Sequence, residues 1–256
     1  MFQIIEYIKF LFKSTNQHGV HSPFVYDLVT KCFYDKTHYN VYSKLLNYRK
    51  SLLKNKQQIE ITDFGSGSRV FKSKFRTVQS IAKHSGSTLK RTKLLFRLVQ
   101  YFKPQHLLEL GSSLGIATHA MALGYPEGKV TSVEGCPNIS DFTSQQLSNN
   151  TITNVSIKTG EFDTLLTELK NNTYDLVFFD GNHNKKATLS YFNSLIDKAH
   201  NDSVFIFDDI HWSKDMTEAW EHIKTHPKVT VSIDTFFWGL IFFRKEQAKE
   251  NFIIRL

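Results

Sequence analysis

The chain has 256 residues, 41% of them hydrophobic and 22% charged, with a net charge of +8 and two cysteines. That length buries a sizeable core, and the composition excludes a disordered or fibrous chain. Cys32 and Cys136 are too few for a disulfide framework and too distant in sequence for zinc spacing, so a reducing cytoplasm is the expected compartment.

The opening stretch MFQIIEYIKFLFKST is apolar but interrupted by Glu6 and Lys9, with no cleavage site after it. It reads as an amphipathic helix packing on the body, with a membrane surface as the alternative and no signal peptide. No uninterrupted apolar run reaches the ~18 residues of a transmembrane span. Helical periodicity continues at 23–34, where Ser22 caps and Pro23 opens the first turn, and at 40–54 and 87–102, where Ser87 is the expected cap and Pro104 the stop.

Beyond residue 104 the texture changes. Short β-branched or aromatic runs at 106–110, 129–134, 154–158, 174–180 and 202–208 alternate with helical patterns. Such alternation predicts an α/β fold: a Rossmann-like, doubly wound, mostly parallel seven-stranded sheet. The runs at 228–234 and 236–244 are nearly contiguous and predict an antiparallel hairpin at one edge. The chain thus divides into a helical N-terminal region, 1–103, and a Rossmann-like domain, 104–256. Charge divides similarly. Residues 44–103 hold fifteen Lys/Arg against Glu60 and Asp63, whereas residues 104–256 hold thirteen against nineteen acids.

Two glycine stretches compete for a nucleotide: ITDFGSGSRVF (61–71) and LLELGSSLGIAT (107–118). A cofactor cradle needs a buried strand, a tight turn opening a helix, and an acid ending the next strand about 20 residues on to accept ribose hydroxyls. Only the second stretch meets all three: Leu107–Leu110 forms the strand, Gly111 and Gly115 the turn, and Glu134 the acid. The first stretch, Gly65–Ser68 with Arg69 and Lys72 behind it, is a basic connector or a phosphate-contacting loop. Ser113 stands where a dinucleotide fold wants glycine, and Glu109 puts a carboxylate near a would-be pyrophosphate. Both disfavour NAD and suit a cofactor with a cationic tail.

LLELGSSLGIAT, VTSVEG, YDLVFFDGNH and FIFDDIHW together resemble the successive signatures of class I S-adenosylmethionine-dependent methyltransferases, closest to the O-methyltransferase group that includes the catechol and caffeoyl-CoA enzymes. The likeness covers roughly 104–244. It implies that Glu109, Gly111, Ser113 and Gly115 line the methionine part of S-adenosylmethionine and that Glu134 holds the ribose. Glu161 would lie near the adenine, or else serve as a first-turn acid favouring the helix dipole.

Asp180, Asp208 and Asp209 end neighbouring strands, where mutual repulsion demands compensation. In metal-dependent relatives these positions hold magnesium or another divalent cation, so the three are candidate ligands. The alternative is an Asp180 that orients the cofactor and an Asp208–Asp209 pair satisfied by backbone amides. His183 is the candidate general base, or a loop residue capping the next helix. His211 and Trp212 either wall the acceptor pocket or pack. The expected activity is methyl transfer to a hydroxyl of a small or anionic acceptor. An RNA acceptor, or a non-catalytic nucleic-acid or partner binder on the same fold, is the alternative.

Overall fold

A computed structural model describes residues 1–62, 74–169 and 171–256. Gly65–Ser68, Arg69 and Lys72 lie outside the described residues. The chain divides into two compact units: Met1–Asp35 with Leu166–Leu256, and Lys36–Leu165.

The first unit begins with α1 (Phe2–Lys13) and α2 (Pro23–Leu28), the latter running into a π-helical turn, Val29–Phe33. Ser22 caps α2 as its sequence predicts, its Oγ accepting from the Val25 amide at 3.4 Å.

The second unit comprises α3 (Val41–Lys54), β1 (Gln58–Glu60), β2 (Phe75–Thr77), α4 (Val78–His84), α5 (Leu89–Phe102), β3 (His106–Leu110), α6 (Ile116–Gly124), β4 (Lys129–Glu134), α7 (Pro137–Asn149) and β5 (Val155–Thr159). The unit boundary falls inside α8 (Phe162–Leu169). β3, β4 and β5 are parallel, with β4 in the middle, and β1–β2 form a separate antiparallel pair. The cap of α5 is Thr88, whose hydroxyl accepts from the Arg91 amide at 3.3 Å; Ser87, the expected cap, instead offers its carbonyl to Arg49 Nε. A capping hydroxyl must reach the third helical amide, and Thr88 is one residue nearer.

The core of this unit draws on residues from both sides of residue 104. Tyr48, Leu52, Ile59, Val78 and Ile81 pack in one buried cluster with Leu114, Ile116, Ile139 and Phe142. Helices α3 and α4 therefore bury their apolar stripes against the segments that carry the glycine turn.

The first unit resumes with β6 (Leu176–Phe179), α9 (Lys185–Ile196), β7 (Val204–Asp208), α10 (Lys214–Thr225), β8 (Val231–Asp234), β9 (Trp238–Phe242) and β10 (Glu250–Ile253). β6 and β7 are parallel, β9 is antiparallel to both β7 and β8, and β10 runs parallel to β8. The predicted C-terminal hairpin is β8–β9. Gly239 within it admits the Trp220 ring, whose carbons lie 2.6 Å from where a Cβ would stand. The strand β10, four residues long, brings the mixed and mostly parallel strands to eight where seven are expected. Its pairing is extended by Thr15, whose amide donates to the Ile253 carbonyl at 2.9 Å. The fold is Rossmann-like, a mostly parallel sheet with an antiparallel C-terminal hairpin and flanking helices.

Candidate functional site

The turn after β3 is built by its own backbone. Gly111 (φ 107°), Ser113 (φ 45°) and Gly115 (φ 70°) all take positive φ, which folds the chain sharply into the first turn of α6. The Gly111 amide donates to the Val133 carbonyl at 2.9 Å, tying the turn to β4, and the Gly115 amide closes it onto the Ser112 carbonyl at 2.8 Å. Two side chains hold it from outside: Thr143 Oγ1 donates to the Ser113 carbonyl at 2.6 Å, and Tyr48 Oη to the Leu114 carbonyl at 2.9 Å. A Cβ on Gly115 would stand 2.7 Å from Thr143 Cγ2 and 3.1 Å from Tyr48 Oη, so glycine is required there by space as well as by φ.

Glu134, at the end of β4, faces this turn. Its Oε2 accepts from the Ser113 amide and its Oε1 from the Cys136 amide, both at 2.9 Å. Burial raises its pKa, and the amides of Cys136, Ser113 and Gly135 pull it back down. The carboxylate remains partly exposed. A carboxylate offers about four acceptor sites, so these amides leave capacity for a ligand's hydroxyl. Gly160 (φ 150°) donates its amide to the Glu134 carbonyl at 3.0 Å, which brings the exposed Glu161 beside the same strand end.

Glu109 lies deeper than its sequence position suggests. It is fully buried, with Thr118 Oγ1 donating to its Oε2 at 2.5 Å and Ser132 Oγ donating to the same oxygen. Its Oε1 has no hydrogen-bond partner. Burial, opposed by the two hydroxyls and assisted by the Glu134 charge, pushes its pKa up to about 7. Beside it on α6, His119 stacks on Tyr48 with ring centroids 4.4 Å apart. Burial, with Lys44 nearby, pushes that histidine down to about 4, leaving it neutral.

In the other unit, β6 delivers Asp180 to a loop on which His183 Nε2 comes within 3.7 Å of Asp180 Oδ1. Both side chains are partly exposed. The helix-capping alternative for His183 is answered by Asn184, whose Oδ1 accepts from the Ala187 amide at 2.9 Å. His183 lines a small pocket with Phe179, Thr188, Tyr191, Phe207 and Asp208. Asp208 ends β7 buried, and Asp209 follows with φ 53°.

The metal expectation finds no support among the described residues. Among the described residues no group of three or more His, Cys, Asp or Glu side chains is arranged to hold an ion. Asp180 Oδ1 lies 3.7 Å from His183 Nε2, Asp208 is buried, and Asp209 takes a left-handed backbone.

His211 is a packing residue. Its Nε2 lies 2.8 Å from Asp234 Oδ2, its Nδ1 lies 3.2 Å from Thr217 Oγ1, and its ring stacks on Phe236. Trp212 is partly exposed. Sequence reasoning missed Tyr48, Thr118, Ser132 and Asp234. Tyr48 acts on a carbonyl sixty-six residues away, beyond any local pattern. Ser132 lies buried in β4 with Val130 and Val133, a polar residue at one of the strand's buried positions.

Residues 108–210 match the family model of a methyltransferase domain. Among solved structures, the S-adenosylhomocysteine-bound methyltransferase PaMTH1 of Podospora anserina aligns over 88% of this chain and 97% of its own, at 12% identity and a TM-score of 0.59. The O-methyltransferase TomG of Streptomyces achromogenes, solved with S-adenosylmethionine, aligns over 84% and 95%, at 14% identity and 0.58. An O-methyltransferase of Bacillus cereus in complex with S-adenosylhomocysteine aligns over 83% and 95%, at 16% identity and 0.54. No curated protein matches the sequence. Residues 108–210 thus match a methyltransferase domain, and the chain shares its fold with these solved methyltransferases. Several of the structures that share the fold are O-methyltransferases.

Proposed function

We propose that the chain transfers a methyl group from S-adenosylmethionine to a hydroxyl of a small or anionic acceptor. The observation that carries this reading is the pair of carboxylates, Glu109 and Glu134, beside the left-handed Gly111–Gly115 turn. Two acids there disfavour a pyrophosphate and suit a cofactor that has no phosphate and carries an ammonium and a sulfonium. S-adenosylmethionine, when bound, supplies an electrophilic methyl on a sulfonium.

In this reading Gly111, Ser113 and Gly115 line the methionine part, Glu134 accepts from the ribose hydroxyls, and Glu161 borders the adenine. His183 takes the acceptor's proton, with Asp180 orienting the ring. As the acceptor oxygen bonds to the methyl carbon, the carbon–sulfur bond breaks and its electron pair stays on sulfur, leaving a neutral thioether. Positioning supplies much of the acceleration in such a displacement. Exposed Lys44, Lys50 and Lys54 on α3 support an anionic acceptor. Two free buried cysteines are in keeping with a reducing cytoplasm, and among the described residues no helix is long and apolar enough to cross a membrane.

Calorimetry with S-adenosylhomocysteine and with NAD tests the cofactor. Binding of the former alone is the expected result; binding of NAD alone would remove this reading.

A further inference from the structure

The first helix turns its apolar side outward. Among the described residues, seven of the twelve large hydrophobic side chains that lie exposed fall within Met1–Phe12. Ile4, Ile5, Ile8, Leu11 and Phe12 recur at helical spacing, so they form one stripe along α1. Ile4 is 65% exposed and Phe12 88%. The side that meets the body is narrower. Phe10 is the helix's one buried residue, and Tyr7 and Phe10 pack on Phe236 with ring centroids 4.8 and 5.5 Å away. Phe237 adds a partly exposed ring 5.0 Å from Phe236. All of these residues belong to one compact unit. Single exposed apolar residues are ordinary, but a contiguous stripe marks a site of association.

Charge indicates what the stripe meets. Glu6, the only acid of the helix, is turned towards the body: its side chain is 16% exposed, whereas that of Lys9, paired with it at 2.7 Å, is 57% exposed. Lys13 is exposed in the last turn. Just beyond it the Arg255 amide donates to the Thr15 carbonyl at 3.0 Å, which sets another exposed cation near the end of the helix. The outward surface of α1 is therefore apolar with a cationic border. A second copy of the chain brings a surface of the same sign, whereas anionic lipid headgroups complement it. Lysine stems can also lie along the acyl boundary with their ammonium groups among the headgroups. Twelve residues rise about 18 Å, short of the ~30 Å hydrocarbon core, so such a helix lies in the plane of the surface.

We propose that α1 is a membrane-docking helix: its stripe from Ile4 to Phe12 inserts at the surface of an anionic bilayer, and Lys9, Lys13 and Arg255 face the headgroups. The proposal is independent of the cofactor reading above. One short helix is a weak anchor, so attachment is reversible and depends on the lipid's charge.

The test is co-sedimentation of the whole protein with vesicles of phosphatidylcholine alone, and of phosphatidylcholine with about 30% phosphatidylglycerol, at low and high salt. The expected result is binding to the anionic vesicles about tenfold or more tighter than to the neutral ones, weakened by salt. Ile5→Asp combined with Ile8→Asp should lower partitioning by on the order of 100-fold. Lys9→Gln combined with Lys13→Gln should lower binding to the anionic vesicles about tenfold and leave the neutral ones unaffected. Phe12→Trp should shift its emission to shorter wavelength on the anionic vesicles. The wild-type comparison and Phe12→Trp decide the matter even if the isoleucine variant fails to fold. No sedimentation with either vesicle, equal binding to both, or unchanged binding of the isoleucine variant overturns the proposal. So does a lipid-free dimer, seen by sedimentation equilibrium, that the isoleucine substitutions dissociate, because the stripe then belongs to a second copy.

Discussion

The two units treat buried acids in opposite ways. In one, Asp234 is satisfied on both oxygens by the Phe236 amide and by His211, and the left-handed Phe236 (φ 74°) is held by that contact. In the other, Glu109 is buried more completely yet has one oxygen unpartnered, and Glu134 has both oxygens bonded but keeps acceptor sites open. Burial alone therefore does not mark a functional acid. What distinguishes the turn is unspent acceptor capacity, which a folded chain retains at a cost and a ligand can use. In the proposed function the corresponding division of labour is cofactor capture around Gly111–Gly115 and proton chemistry around His183.

The largest expected effect separates those roles. His183→Ala should lower turnover by roughly 10²–10⁴-fold while leaving S-adenosylhomocysteine affinity unchanged. A matching loss of affinity would show that the loop serves binding instead. Glu134→Ala should do the converse on the other side, weakening the homocysteine ligand by on the order of 100-fold as two charge-assisted hydrogen bonds are lost. Asp234→Ala should leave affinity per folded molecule intact but lower unfolding free energy by about 3 kcal/mol, since it breaks a buried pair. Chemical denaturation reads that loss.

A smaller effect follows from the sign of the Glu109 shift. Its folded pKa, about 7, lies above the ordinary 4.5, so between those values the folded state binds the extra proton. Its contribution to stability is therefore greatest below about pH 4.5, falls as pH rises to about 7, and is constant above that. Glu109→Gln should flatten this part of the melting temperature's pH profile. Smallest of all is the effect of chelation. With no converging ligand set among the described residues, EDTA is expected to leave both turnover and cofactor affinity in place. Loss of either on chelation, restored by a divalent cation, would support a cation at Asp180, Asp208 and Asp209.

Much of this was legible in the sequence where the signal is local. Alternation announced β3 to β9, and the order strand, glycine turn, helix, acid selected Gly111–Gly115 and Glu134 over the Gly65 stretch, which lies outside the described residues. The strand β10 escaped because ENFI is too short and too polar at its start to read as a strand; its parallel pairing with β8 and the bridge from Thr15 are tertiary facts. The expected boundary near residue 104 rests on texture, whereas the compact units follow packing, and α3 and α4 share a cluster with the turn. Glu109 was picked out for the right segment, but its depth was not readable. That depends on Thr118 and Ser132 arriving from α6 and β4, and on Tyr48 closing the turn from α3. The metal expectation gained no support, for a related reason. Three acids at strand ends are adjacent in a pattern, yet ligation requires their side chains to converge.

The most direct test is a crystal structure of the protein with S-adenosylhomocysteine. The account predicts the ribose hydroxyls within hydrogen-bonding distance of the Glu134 carboxylate and the amino-acid tail against the Gly111–Gly115 turn. A ligand seated elsewhere, or a Glu134 still bonded only to the Ser113 and Cys136 amides with the sugar out of reach, would contradict it.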